Sequence, residues 1–155
     1  MQKYLKPQVA AIQPSVIRKF FDLAAQIKGV ISLGIGEPDF STPLAFCEAG
    51  WRSMQEGKTG YSPNPGLLEL RQAISAYLQQ LLGLTYCPEN QIVVTVGGSE
   101  AIDATFRALI CPGDEVIIPE PAFVSYAPCV ELAGGVVVPL PTSAEQGFKL
   151  TPAQL

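Results

Sequence analysis

The sequence predicts an α/β fold with a mainly parallel sheet and covering helices. Three observations carry that expectation. Short apolar runs, Ile92–Val96, Glu115–Ile118 and Val136–Leu140, alternate with helical stretches. Those runs are continuous rather than alternating, the pattern of parallel strands covered on both faces. Glycine and proline punctuate the elements, as in a compact fold with many short turns. Three strands joined by two crossover helices make a βαβαβ unit, right-handed by the general rule. Ligands in such sheets bind outside the carboxyl ends of the strands.

Taken in order, the first helix is expected from Ser15 to just before Gly29. Val16, Ile17, Phe20, Phe21, Ala24 and Ile27 recur at helical spacing and form one apolar stripe. Ser15 suits the cap, and Gly29 suits the left-handed C-terminal position. The apolar stretch Val30-Ile31-Ser32-Leu33 enters the glycine turn Gly34–Phe40. A second helix has Thr42 as cap, Pro43 at its first position and an end near Gly57. Residues 59–66, with Pro63, Pro65 and Gly66, read as a loop. A long amphipathic helix follows from about Leu67 to Leu82, closed by Gly83. The strand Ile92–Val96 leads through Gly97-Gly98-Ser99 into a helix Glu100–Ile110. The turn Cys111–Asp114 leads to the second strand, and a helix ending at Gly134-Gly135 leads to the third. Thr151 and Pro152 read as the cap and first residue of a helix that begins at the chain's end, so the sequence is expected to be cut inside an element.

Composition bounds the function. The chain has 155 residues, a single-domain length, with 48% apolar residues. Charged residues are only 15%, against roughly 25% in a typical soluble domain. That deficit predicts more burial than an independent small domain provides, through a larger domain or an obligate oligomer. Histidine is absent, which removes Ser-His-Asp and Cys-His triads and imidazole zinc sites. The net charge is −4 and the six lysines are scattered, so neither nucleic acid nor an anionic membrane is an expected partner. Cys47, Cys87, Cys111 and Cys129 form no C-x-x-C pair. They read as reduced thiols serving as small core residues in a cytoplasmic protein, and no metal site is expected. No apolar segment near the N-terminus resembles a signal peptide, and no run approaches membrane-spanning length.

Four segments can carry chemistry, and each has a plainer reading beside it. Thr95–Glu100 is a strand end, a glycine turn and a helix start. Amides at a helix N-terminus form an anion site, and glycines let a phosphate approach closely. The plainer reading is a tight βα turn with Ser99 as helix cap. The segment is neither a Walker A loop nor G-x-G-x-x-G. Glu100 suits the helix dipole but opposes a nearby phosphate. Phe123, just past the second strand, can stack on a flat ring or serve as core. Tyr61 can offer its hydroxyl to a phosphate or a partner subunit, or pin its own loop. Gly36, in Ile35-Gly36-Glu37-Pro38, can present its amide to a ligand carboxylate, or simply bend the chain before Pro38. Glu37 and Asp39 read as a solvated turn rather than an acid/base pair.

Five separated motifs occur in one order: 32–40 (SLGIGEPDF), 61–66 (YSPNPG) with Glu69-Leu70-Arg71, 94–101 (VTVGGSEA), 112–116 (PGDEV) and 121–126 (PAFVSY). Their order and spacing resemble the N-terminal part of a class I/II pyridoxal-phosphate-dependent aminotransferase of fold type I, in the aspartate aminotransferase superfamily. The resemblance covers essentially the whole chain. It implies the N-terminal half of that fold's large domain, incomplete. Residues 1–44 would be the N-terminal arm and first segment of the small domain, and residues 45–155 the first part of the cofactor-binding large domain.

The resemblance also implies roles. Ile35 and Gly36 would bind substrate, with the Gly36 amide on its carboxylate. Tyr61 would reach the cofactor phosphate of the other subunit of a homodimer. Gly97, Gly98 and Ser99 would hold the phosphate of pyridoxal 5'-phosphate bound by their own subunit, and Phe123 would stack on its ring. Substrates would be an amino acid and a 2-oxo acid.

The family's cofactor-carrying lysine, the asparagine and aspartate that contact the ring, and its substrate arginine correspond to positions beyond 155. Lys3, Lys6, Lys19, Lys28, Lys58 and Lys149 match none of the lysine motif. No catalytic residue is therefore assigned, and this chain is expected to be inactive alone. Rival expectations are another fold type I enzyme (lyase, decarboxylase or cyclopropane-carboxylate synthase), a non-catalytic ligand-sensing domain, or a nucleotide-binding α/β domain.

Overall fold

The computed structural model describes residues 4–12, 16–24, 26–31, 36 and 38–155. In chain order the elements are α1 (Pro7–Ala11), α2 (Val16–Ala24), α3 (Leu44–Gln55), α4 (Leu68–Leu82), α5 (Gly97–Leu109), β1 (Glu115–Glu120), α6 (Tyr126–Ala133) and β2 (Val136–Pro141), followed by one 3₁₀ turn, Pro152–Gln154. They divide into two compact units: Met1–Val16 with Val96–Leu155, and Ile17–Thr95.

The first unit is built on a parallel pair. β1 and β2 run in register from Glu115 opposite Val136 to Glu120 opposite Pro141. α6 connects them and packs against both strands, α5 and α1. The crossover closes where two turns meet. The Gly113 N–H donates to the Gly134 carbonyl at 2.9 Å, and the Val136 N–H to the Asp114 carbonyl at 2.8 Å. Asp114 also accepts the Cys111 N–H at 2.8 Å, which fixes its own turn. Gly135 is required here, because a Cβ would come within 2.9 Å of both Ile110 Cγ2 and Val130 Cγ1. Val130 is fully buried, and with Ile118 it forms the core of this unit.

The expected third strand is not formed. Residues 92–96 carry no ladder, so among the described residues the sheet has two strands and the unit is βαβ. A strand exists through its neighbour, and the Val94 N–H donates instead to the Pro65 carbonyl at 3.0 Å. Burial in β1 alternates: Val116 is half-buried, Ile118 buried, and Ile117 exposed. Along β1 the two faces are thus unequally covered, whereas in β2 the neighbours Val137 and Val138 are both half-buried. The helix expected from Glu100 begins at Gly97. At the chain's end the Thr151 cap forms as expected, with Gln154 Oε1 accepting the Thr151 N–H at 2.9 Å. A single 3₁₀ turn follows it.

In the second unit α4 has its expected extent and ends at Gly83, at φ +69. α3 starts one residue later than the sequence suggested. Pro43 is the cap, its carbonyl accepting the Phe46 N–H at 2.9 Å, and Thr42 supplies no side-chain cap. α2 ends at Ala24, short of Gly29. The chain tightens through Gln26 N–H to Leu23 carbonyl and Ile27 N–H to Ala24 carbonyl before Gly29 takes φ +78. Ser15 and the run 32–35 lie outside the described residues, and Val30 and Ile31 form no strand. The cysteines do not serve as core as expected. Cys47 and Cys111 are exposed, and Cys87 and Cys129 half-buried. Cys47 lies in the first turn of α3, and Cys111 in the turn after α5.

Candidate functional site

Gly97, Gly98 and Ser99 form the first turn of α5. The amides of a first helical turn have no intrahelical acceptor and carry the positive end of the helix dipole. A Cβ added at Gly98 would meet nothing within 4 Å, so a group of phosphate size can approach that backbone. Glu100, which the sequence set against an anion, is turned back: its carboxylate accepts the N–H of Val96, the capping residue. That contact explains the early helix start. Ser99 is therefore a residue of the first turn, not the cap.

Phe123 follows β1 in the same unit. Its ring lies edge-to-face on Tyr126, with centroids 5.6 Å apart and planes at 73°. It remains half exposed, so it is not core. It borders a cleft of about 500 Å³ with Ile118, Glu120, Pro121, Val124 and Thr142. Thr142 is held in that lining by donating its N–H to the Glu120 carbonyl at 2.8 Å, and its hydroxyl to the same carbonyl at 2.6 Å. An apolar slot at the carboxyl ends of parallel strands, with few polar groups, suits a flat organic ring.

The other expected residues belong to the second unit. Tyr61 has a fully exposed side chain. Gly36 has open space where a Cβ would stand. Ile35 lies outside the described residues. Gly97, Gly98, Ser99 and Phe123 thus belong to the first unit, where the first three do not line the cleft that Phe123 borders, and Tyr61 and Gly36 belong to the second. Among the described residues no group of His, Cys, Asp or Glu could hold a metal ion, and no helix is long and apolar enough to cross a membrane.

One residue was quoted in a motif but given no role. Arg71, on α4, is the buried charged residue of the described chain, at 6% exposure. Its Nε donates to the Gly66 carbonyl at 3.2 Å, and its Nη1 to the carbonyls of Glu89, at 3.1 Å, and Pro88. An arginine three residues into a helix after a Pro-Gly turn is the signal that marks it. Beside it, Cys87 donates to the Glu89 carboxylate at 3.0 Å and holds its pKa below the ordinary value.

Comparison with known proteins decides the family. The family model "Aminotransferase class I and II" matches residues 28–155. The chain belongs to the class I and II aminotransferase family. This aminotransferase-family chain is 53% identical over 153 residues to YugH of Bacillus subtilis (strain 168), a protein named as an aminotransferase. The match covers 99% of this chain and 40% of that protein. It is 48% identical over 144 residues to an aspartate aminotransferase of Pyrococcus abyssi, covering 93% of this chain and 37% of that one. Its fold superposes on a Thermus thermophilus aspartate aminotransferase solved with maleate, with TM-score 0.88 and 40% identity, over 97% of this chain and 40% of that one. The fold is accordingly that of the fold type I enzymes, in part. The chain spans about two fifths of the length of these relatives.

The family implies pyridoxal 5'-phosphate as cofactor. The residues present fit two of its parts in kind: the first turn of α5, with open space at Gly98, for the phosphate, and an aromatic-edged cleft for the ring.

Proposed function

We propose that this chain is the N-terminal part of a pyridoxal-phosphate-dependent aminotransferase, which moves an amino group from an amino acid to a 2-oxo acid. The observation that carries this reading is the first turn of α5, with the Glu100 carboxylate drawn onto the Val96 amide and away from Gly98 and Ser99. When bound, pyridoxal 5'-phosphate supplies an electron sink for the substrate's α-carbon.

This chain's residues do the holding. Gly97, Gly98 and Ser99 take the phosphate through backbone amides and the Ser99 hydroxyl. Phe123 lies against the ring face and keeps water from it. Ile35 and Gly36 orient the substrate, the Gly36 amide donating to its carboxylate. Tyr61 reaches the phosphate held by a second copy, so the protein acts as a homodimer. Its full exposure supports an outward role. On this reading residues 1–44 are the arm and first segment of the small domain, residues 45–155 the first part of the large domain, and the enzyme is cytoplasmic.

Lys58 is poorly suited to carry the cofactor. An amine nucleophile is activated by a lowered pKa, and Lys58 goes the other way, raised by its contact with Glu56 at 2.7 Å. With none of the six lysines in the family's lysine motif, we infer that the chain alone is inactive.

The test has two arms. Equilibrium binding should favour pyridoxal 5'-phosphate over pyridoxal, and equal affinities would remove the phosphate site. Borohydride reduction with cofactor present, followed by peptide mapping, should give no stoichiometric adduct. A single modified lysine would sink the inactivity reading.

A further inference from the structure

Burying a guanidinium is costly, and an apolar side chain of similar volume often serves stability as well or better. Arg71 is nonetheless buried, with its donors spread over two different loops. One of these is the turn at residues 87–91, closed by Gln91 N–H to Cys87 carbonyl at 2.9 Å. The other is the loop that carries Tyr61.

That loop is held at both ends. At its start the Lys58 N–H donates to the Ser53 carbonyl at 3.0 Å, and the Thr59 N–H to the Gly57 carbonyl at 2.8 Å. At its end the Gly66 N–H donates to the Pro63 carbonyl at 2.8 Å, and the Pro65 carbonyl accepts the Val94 N–H at 3.0 Å. Gly66 sits at φ +94, where a Cβ would fall 2.7 Å from Val94 Cβ. Its carbonyl is the one Arg71 Nε takes. Between these roots only Gly60, Tyr61 and Ser62 remain, so the position of the tyrosine ring is set by where the roots are fixed.

We propose that Arg71 is a positioning residue for the phosphate contact of Tyr61: it fixes the Gly66 root of the tyrosine loop to the turn at Pro88 and Glu89. The assignment rests on the reading that Tyr61 contacts the cofactor phosphate. Arginine is needed because its planar fork donates in two directions at once. A lysine keeps the charge as a single point and cannot span both loops.

The experiment uses the full-length enzyme. Apoenzymes of the wild type, Arg71→Lys, Tyr61→Phe and the double variant are titrated with pyridoxal 5'-phosphate and with pyridoxal. Amide hydrogen exchange is followed at Gly66 and Val94. Arg71→Lys should weaken pyridoxal 5'-phosphate binding roughly 10-fold, the scale of one charge-assisted hydrogen bond. It should leave pyridoxal binding unchanged, speed exchange at both amides, and add nothing to the loss caused by Tyr61→Phe.

An equal loss for both ligands, full additivity with Tyr61→Phe, or no loss at all would overturn the assignment. A wild-type enzyme that binds pyridoxal as tightly as its phosphate would overturn the phosphate reading itself, and the assignment with it. If Arg71→Lys does not fold, Gly66→Ala disturbs the same root from the Val94 side and must give the same phosphate-selective, non-additive loss.

Discussion

Gly57 and Gly66 both hold positive φ, at +74 and +94, yet they face different surroundings. Nothing lies within 4 Å of a Cβ at Gly57, whereas one at Gly66 would overlap Val94. Gly57→Ala should therefore cost only the left-handed backbone penalty, about 1 kcal/mol. Gly66→Ala should cost about 2–4 kcal/mol, because overpacking adds to that penalty. Urea denaturation of the two variants checks this, and equal midpoints would contradict it. Glu89 gives a prediction in pH. Its carboxyl is held below the ordinary value, first by the Cys87 thiol and then by its own backbone amide. A lowered folded-state pKa contributes stability above the unfolded value, and that stability is lost as pH falls through the folded one. Cys87→Ala should thus raise the Glu89 pKa and flatten the acid limb of the stability profile below about pH 4.5, as NMR titration would show. The thiols themselves should differ. Burial pushes the Cys129 pKa up, and Asp103 adds to the rise. With Cys47 and Cys111 exposed, alkylation at pH 8 followed by mass mapping should label those two first and Cys129 last.

At the level of the element, α5 admits a test in which stability and binding move in opposite directions. Ser99→Asp puts a carboxylate in the first turn, where the helix dipole favours it by about 0.3–1 kcal/mol. The same charge occupies the ground proposed for the cofactor phosphate. The melting temperature should rise slightly while pyridoxal 5'-phosphate affinity falls at least 10-fold; if affinity is unchanged, this turn holds no phosphate. Much of this element could be read beforehand. The glycines, the following helix and the strand after Asp114 follow from turn chemistry and apolar runs, which are local properties. The left-handed ends at Gly83 and Gly134 were equally legible. What was not legible depends on partners distant in sequence. Residues 92–96 have the composition of a strand but bond to Pro65, and no local pattern announces that. The start of α5 moved by three residues because the Glu100 side chain folds back on Val96, a choice between helix dipole and anion site that composition leaves open. Arg71 stood inside a quoted motif, yet only the fold reveals that its carbonyl partners come from two loops.

At the level of the whole molecule, the low charge content returns as a surface quantity. Among the described residues only Ile92, Ile118 and Val130 are buried hydrophobics, while Phe46, Trp51, Leu109 and Val96 stand exposed. This agrees with a chain that spans about two fifths of its relatives. It follows that the 155-residue chain alone should bind the hydrophobic dye ANS strongly and self-associate in sedimentation, with association rising with salt as apolar contacts strengthen. On the proposed reading, a longer homodimeric enzyme should bind little dye and sediment as one discrete dimer. A monodisperse 155-residue chain that binds no dye would mean that these apolar faces are covered within the chain itself, and the account of its charge deficit would fall.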